Sequence, residues 1–132
     1  LGKLLYRFEP NILNKIEMSP QEIEVVQRGF YEVMHGNNGT AAWMFKNKDY
    51  NPAGKTGTAE IDKATGVVNK TLVGYAPYEN PEVALAVVVP NIKEGNTNSE
   101  IAEGALDAYF SMKKEGIPSK PDSENKEVKE PR

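Results

Sequence analysis

The sequence predicts an α+β fold in which helices pack on an antiparallel sheet. Two helix patterns, beginning near Ser19 and Thr97, flank three strand patterns at about 55–61, 67–76 and 83–89. Short polar turns join the three strand patterns, and turns this short can connect only antiparallel neighbours. The order helix, three strands, helix is typical of domains whose helices cover an antiparallel sheet.

The first helix is predicted from its capping residues. Ser19-Pro20-Gln21-Glu22 combines a capping box with proline at the first helical position. Gly36 is a natural stop, and we expect one buried face from the apolar residues at helical spacing, which are Ile23, Val26, Phe30, Val33 and Met34. Residues 1–18, which precede the cap, are predicted to form an irregular N-terminal segment.

A short second helix is predicted to follow the turn at 37–39. Thr40 is expected to cap it, and Trp43 and Phe45 are expected to lie in the core. The first strand is then predicted at about Lys55 to Ile61, and the second from Val67 to Ala76, before Pro77.

The third strand pattern, Val83 to Val89, is apolar at every position. A continuous apolar run predicts a central strand with both faces covered. Thr97-Asn98-Ser99-Glu100 predicts a second capping box, and the apolar stripe that follows is Ile101, Ala105, Leu106, Tyr109 and Phe110. The domain is expected to cover residues 19–116, and residues 117–132, which lack apolar anchors, are expected to form a disordered polar tail.

The composition excludes several kinds of site. The chain has 132 residues with a formal net charge of −3 and mixed charges, so no basic surface indicates a nucleic-acid partner. There is no cysteine, and His35 is the single histidine, so thiolate and multi-histidine metal sites are excluded. We expect no cofactor and no metal. His35 itself is expected to cap the first helix or to lie at the surface.

Residues 54–60, Gly-Lys-Thr-Gly-Thr-Ala-Glu, carry most of the functional information. A Lys-Thr-Gly triplet on a strand edge is one of three signatures of serine acyl-transferring enzymes that react with β-lactams. Lys55 supplies a positive charge for a substrate carboxylate, and Thr56 and Thr58 supply hydroxyls that can hydrogen-bond it. Gly57 leaves room for a substrate backbone, and an N–H just beyond it can stabilise an oxyanion.

Gly54-Lys55-Thr56 also matches the last residues of a phosphate-binding P-loop, but the surrounding sequence does not fit that motif. The P-loop requires a glycine five positions before Gly54. That position is Asp49, and no strand–loop–helix pattern surrounds the triplet.

The longer string Ala53 to Glu60 resembles the third motif of penicillin-binding proteins, and Val73-Gly74-Tyr75-Ala76-Pro77 is similar to the strands that follow it. The resemblance covers roughly residues 19 to 115 and is to the class B, monofunctional transpeptidases. It implies the C-terminal portion of a penicillin-binding protein or β-lactamase-like serine transpeptidase fold. The implied location is the outer face of the bacterial cytoplasmic membrane, with a membrane-anchored parent protein.

The activity that the resemblance implies is D,D-transpeptidation. A serine attacks the penultimate D-Ala carbonyl of a peptidoglycan stem peptide, and the acyl group passes to an amine on a neighbouring stem; β-lactams acylate the same serine. Lys55 would hold the serine of the central motif and the substrate carboxylate, and Thr56 and Thr58 would bind that carboxylate. The N–H of Thr58 would form half of the oxyanion hole.

The other two motifs of this family, Ser-x-x-Lys and Ser-x-Asn, do not precede Lys55. The upstream serine, Ser19, is a helix cap, and the matches at 111–114 and 123–126 lie at a helix end and in the polar tail. We therefore expect a piece of a transpeptidase domain, inactive alone and completed by the remainder of its parent. Two alternatives stay open, a non-catalytic β-lactam sensor or scaffold and a β-lactamase. A free edge at Val83 to Val89 predicts self-association.

Overall fold

The computed structural model describes residues 11–116, which form three helices and three strands. Their bounds are α1 Pro20–His35, α2 Ala42–Phe45, β1 Ala53–Asp62, β2 Val67–Ala76, β3 Val83–Ile92 and α3 Thr97–Lys114. The strands form one antiparallel sheet in the order β1-β2-β3. The predicted α+β class is confirmed. The predictions for the polar tail and for residues 1–10 lie outside the described residues.

Helix α1 begins as predicted, but it buries less than its apolar pattern suggests. The capping box is complete, with the Ser19 side chain accepting from the Glu22 N–H and the Glu22 carboxylate accepting from the Ser19 N–H. Ile23 and Val26, however, are 43% and 50% exposed, and Met34 is the buried residue of the helix. The prediction of one buried face therefore fails for the first half of α1, because the core lies against its C-terminal turns.

The core lies on one face of the sheet, between β2, β3 and the helices. Its buried members are Met34, Ala41, Phe45, Leu72, Ala76, Ala102 and Leu106, with Val83, Leu85 and Val87 packed against them. The intervening residues of β3 are exposed, and Val88 is 66% exposed.

Within residues 11–116, the prediction that both faces of Val83 to Val89 are covered is therefore wrong, whereas the predicted free edge is present, since β3 pairs with β2 alone. In this part of the chain β3 lies at the edge of the sheet and runs on to Ile92. The reason is that α3 covers the sheet from one side, so the apolar run alternates between half-buried and exposed positions.

The second capping box, predicted at Thr97-Asn98-Ser99-Glu100, is absent. The N-cap of α3 is Asn96, without a side-chain hydrogen bond. Asn98 and Ser99 are instead buried, and the Asn98 amide donates to the Thr71 carbonyl at 2.9 Å. The helix meets the sheet through Ala102 and Leu106, whereas Ile101 is 49% exposed.

Helix α2 differs from its prediction in two respects. Phe45 is fully buried as expected, but Trp43 is 63% exposed and is not a core residue. Side chains two positions apart on a helix are separated by about 200° around its axis, so a one-turn helix cannot bury both of them on the same side. Its N-cap is Ala41, and Thr40 makes no capping bond to it.

Candidate functional site

Strand β1 carries the Lys-Thr-Gly motif along the edge of the sheet. Lys55 pairs with Val73 and Thr56 with Leu72, and the shift in register falls beyond the motif, between Glu60 and Asp62. The strand therefore keeps its alternation, so that Lys55 and Gly57 lie on one face and Thr56 and Thr58 on the other. The two faces meet at the outer margin of β1, where all four positions border the same edge.

A cleft of ≈ 390 Å³ lies between β1 and the end of α1, and Lys55 lines it together with Glu32, Val33 and the turn at residues 36–40. The Lys55 ammonium donates to the Thr56 carbonyl at 2.6 Å and is exposed. An ammonium has three N–H donors, so two of them are available for a ligand in the cleft. The site thus presents a cation beside an open groove.

The turn at residues 36–40 is held against the C-terminus of α1 by its backbone. The Gly39 N–H donates to the Gly36 carbonyl and the Ala41 N–H to the Val33 carbonyl. A Cβ on Gly39 would lie 2.5 Å from the carbonyl oxygens of both Glu32 and Val33, so this position requires glycine.

Thr40, in this turn, is hydrogen-bonded to the motif itself. Its Oγ1 lies 2.7 Å from Oγ1 of Thr56. The predicted role of Thr40 as a helix cap is therefore wrong. Its contact with Thr56 cannot be predicted from a local pattern, because the two residues are 16 positions apart and lie in different elements.

His35 connects α1 to the start of β1. Its Nε2 lies 2.7 Å from the Pro52 carbonyl oxygen, which can only accept, so Nε2 carries the hydrogen. The ring also stacks on Tyr31, with centroids 4.2 Å apart. His35 lies in the last turn of α1, as predicted, but it does not cap this helix through a hydrogen bond, because its side chain bonds a carbonyl outside its own helix.

A cluster of charged and aromatic side chains, which we call the Lys48 cluster, joins the segment before β1 to α3. The Lys48 ammonium lies 2.8 Å from the Asp107 carboxylate and 2.7 Å from that of Glu103. The Tyr50 hydroxyl donates to Asp107 at 2.8 Å, and its ring stacks on Phe110. These bonds fix the chain just before it enters the sheet.

The pKa values within the Lys48 cluster follow from these contacts. Burial pushes the pKa of Asp107 upward, but the hydrogen bonds from Lys48 and Tyr50 outweigh it and hold that pKa below its usual range. The hydrogen bond to Asp107 raises the pKa of Lys48. Burial, followed by the bond to Asp107, raises the pKa of Tyr50. Lys48 and Asp107 are therefore paired as ions, and Tyr50 stays neutral.

Other candidate groups lie apart from this cleft. Ser111 and Lys114 are exposed at the end of α3, outside the lining of the cleft. Glu60 and Asp62 are exposed, as predicted, and Asp62 accepts from Ala64 and Thr65 within its own turn. Among residues 11–116, no group of three or more acidic or histidine side chains could hold a metal. No helix in this range is both long and apolar enough to cross a membrane.

The chain resembles known proteins along most of its length. Residues 2–110 match the family model of the penicillin binding protein transpeptidase domain. Penicillin-binding protein 2A of Bacillus subtilis is 40% identical over 98% of this chain and 19% of that protein. The peptidoglycan D,D-transpeptidase MrdA of Haemophilus influenzae is 31% identical over 68% of this chain and 16% of that protein.

A solved structure shows the same fold. Penicillin-binding protein 2B of Streptococcus pneumoniae superposes with a TM-score of 0.67 at 33% identity, over 84% of this chain and 19% of the other. The chain thus spans less than one-fifth of the length of the relatives compared.

Proposed function

Because the chain belongs to the family of penicillin-binding protein transpeptidase domains, we propose that it forms the Lys-Thr-Gly wall of the active site of a peptidoglycan D,D-transpeptidase. The rest of the protein would supply the nucleophilic serine and the central motif. The relative from Haemophilus influenzae is named for this reaction. The substrate is a peptidoglycan stem peptide, and β-lactams bind in its place.

The observation that carries the proposal is the placement of Lys55 on an edge strand beside an open cleft. Both substrate and β-lactam bear a carboxylate. A charge-assisted hydrogen bond from an ammonium is about twice as strong as a neutral one. An edge strand also offers free backbone groups along which an extended peptide can align.

Each motif residue has a distinct role in this proposal. Lys55 holds the carboxylate and the serine of the central motif. Thr56 and Thr58 donate their hydroxyls to the same carboxylate, and the N–H of Thr58 contributes half of the oxyanion hole. Gly57 shares the Lys55 face, where the absence of a side chain admits the substrate backbone. A Cβ on Gly57 would also press on the Thr71 hydroxyl.

We further propose that the protein acts at the outer face of the bacterial cytoplasmic membrane, where its substrate is found. The exposed sheet face and the β3 edge would be completed by the remainder of the transpeptidase domain. In its absence, β3 would pair with a second copy of the chain. Within residues 11–116 β3 pairs with β2 alone, which supports this expectation.

The function is tested by acylation of the full-length protein that contains this chain. Lys55→Ala is expected to lower the second-order rate constant for a labelled penicillin several hundredfold, because a charged hydrogen bond in the transition state contributes a few kcal/mol. Lys63→Ala is the matched control, since Lys63 is exposed in the β1–β2 turn. Both variants should melt like the wild type.

Wild-type acylation rates for Lys55→Ala would refute the proposal. The fate of the acyl-enzyme separates the alternatives. A β-lactamase releases the hydrolysed drug within seconds, whereas a transpeptidase or sensor retains it. A transpeptidase alone also releases D-Ala and forms cross-links when it is supplied with stem peptide.

A further inference from the structure

The hydroxyl pair Thr40–Thr56 joins a fixed turn to the motif strand. Thr40 stands between Gly39 and Ala41, whose N–H groups are bonded to the carbonyls of Gly36 and Val33. The close packing of Gly39 against the last turn of α1 leaves this turn little freedom. The Thr40 hydroxyl is therefore presented to Thr56 from a rigid support, at 2.7 Å.

The direction of this hydrogen bond becomes fixed when an anion binds. Each threonine hydroxyl has one hydrogen and two acceptor lone pairs. A carboxylate has no hydrogen to give, so Thr56 must donate to it. The hydrogen between the two threonines must then come from Thr40, and the order of donation is Thr40 to Thr56 to carboxylate. A hydroxyl that accepts one hydrogen bond is a better donor in the next.

We propose that Thr40 is a positioning residue for carboxylate recognition, holding the Thr56 hydroxyl with its hydrogen directed at the ligand. The inference rests on the proposed function, because it requires Thr56 to bind the carboxylate. In this role Thr40 acts through Thr56, although its turn also lines the cleft. Without the Thr40 hydroxyl, the Thr56 rotor is free to turn and its hydrogen is directed at the ligand for less of the time.

The test compares two probes that differ only at the carboxylate. The full-length protein is acylated by a penicillin and by the methyl ester of the same penicillin, and the ratio of the two second-order rate constants is measured. This ratio reports on carboxylate recognition and is independent of the fraction of protein that is folded. The variants are Thr40→Val, which keeps the shape and removes the hydroxyl, Thr40→Ser, which retains it, and Thr56→Val.

Thr40→Val is expected to lower the acid-to-ester ratio about two- to tenfold, the range for one neutral hydrogen bond. Thr40→Ser should restore most of the ratio, and Thr56→Val should lower it at least as much as Thr40→Val. A Thr40→Val variant that is slower with both probes by the same factor, or unchanged, would overturn the inference. If Thr56→Val still lowers the ratio in that case, the proposed role of Thr56 stands. An unchanged ratio in both valine variants, or no acylation of the wild type, would overturn the role of Thr40 and the proposed role of Thr56 together.

Discussion

Gly54, the residue before Lys55, occupies a site with no room for a side chain. A Cβ built there would lie 2.6 Å from the Val73 carbonyl oxygen and 3.1 Å from the Gly74 Cα, and it would collide with the Met34 Cε. Met34 is fully buried in the core, and the Val73 carbonyl belongs to the neighbouring strand of the sheet. Gly54→Ala must therefore displace either core packing or strand pairing.

The cost follows from which atoms must move. Overpacking a well-packed site costs about 1–3 kcal/mol. We expect Gly54→Ala to lower the free energy of unfolding by an amount near the upper end of this range, about 2–3 kcal/mol. One of the obstructing atoms belongs to the sheet backbone, which can move less than a flexible side chain. For a domain of about 100 residues this predicts a fall in melting temperature of roughly 10–20 °C.

The assay is thermal unfolding followed by circular dichroism, with Gly104→Ala as the matched control. Gly104 lies within α3, and a Cβ there meets nothing within 4 Å. The same chemical change should raise stability there by about 0.5–1 kcal/mol, because alanine is the better helix former. If Gly54→Ala melts within about 2 °C of the wild type, the tight contact between β1, β2 and Met34 is incorrect.

Two further changes test the Lys48 cluster and the free edge. Asp107→Asn should cost ~1 kcal/mol at pH 7, a value kept small by partial exposure. Because the folded-state pKa of Asp107 is lowered, the stability that its ionised carboxylate contributes is present above pH ~4. This stability is lost as the pH falls through the folded-state pKa. The melting difference should therefore shrink toward pH 3; a constant difference would contradict the ion pair. Val88→Lys, on the exposed face of β3, should weaken self-association in sedimentation. A monomeric wild type at high concentration would contradict that pairing.

Local patterns in the sequence predict the elements that are fixed by local chemistry. The first helix begins at its capping box, and β2 has its predicted bounds, Val67–Ala76, because a polar turn and Pro77 delimit it. The motif strand was placed within two residues of its observed start at Ala53. In each case the signal lies within a few residues of the feature that it determines.

The features that the sequence did not predict depend on what packs against an element. The apolar run of β3 does not specify which of its faces is covered, and the exposure of Trp43 depends on the direction in which a four-residue helix presents it. Lys48 and Asp107 are 59 residues apart in the chain. The sequence around either residue does not indicate that the two are paired, because charged residues exposed to solvent are common on helices and loops.

The supports of the motif strand come from three separate parts of the chain. Within residues 11–116 β1 has a strand partner on one side alone, so its outer edge depends on side-chain contacts for its position. His35 bonds the Pro52 carbonyl, Thr40 bonds Thr56, and Lys48 joins the preceding segment to Asp107.

These contacts hold the chain at Lys48 and Pro52, before Lys55, and the side chain of Thr56, which follows it. In the proposed function Lys55 binds a substrate carboxylate, and a charge that does so without reorganisation needs a strand that is held in place in this way. A single motif on an edge strand therefore depends on contacts that the motif sequence itself does not contain.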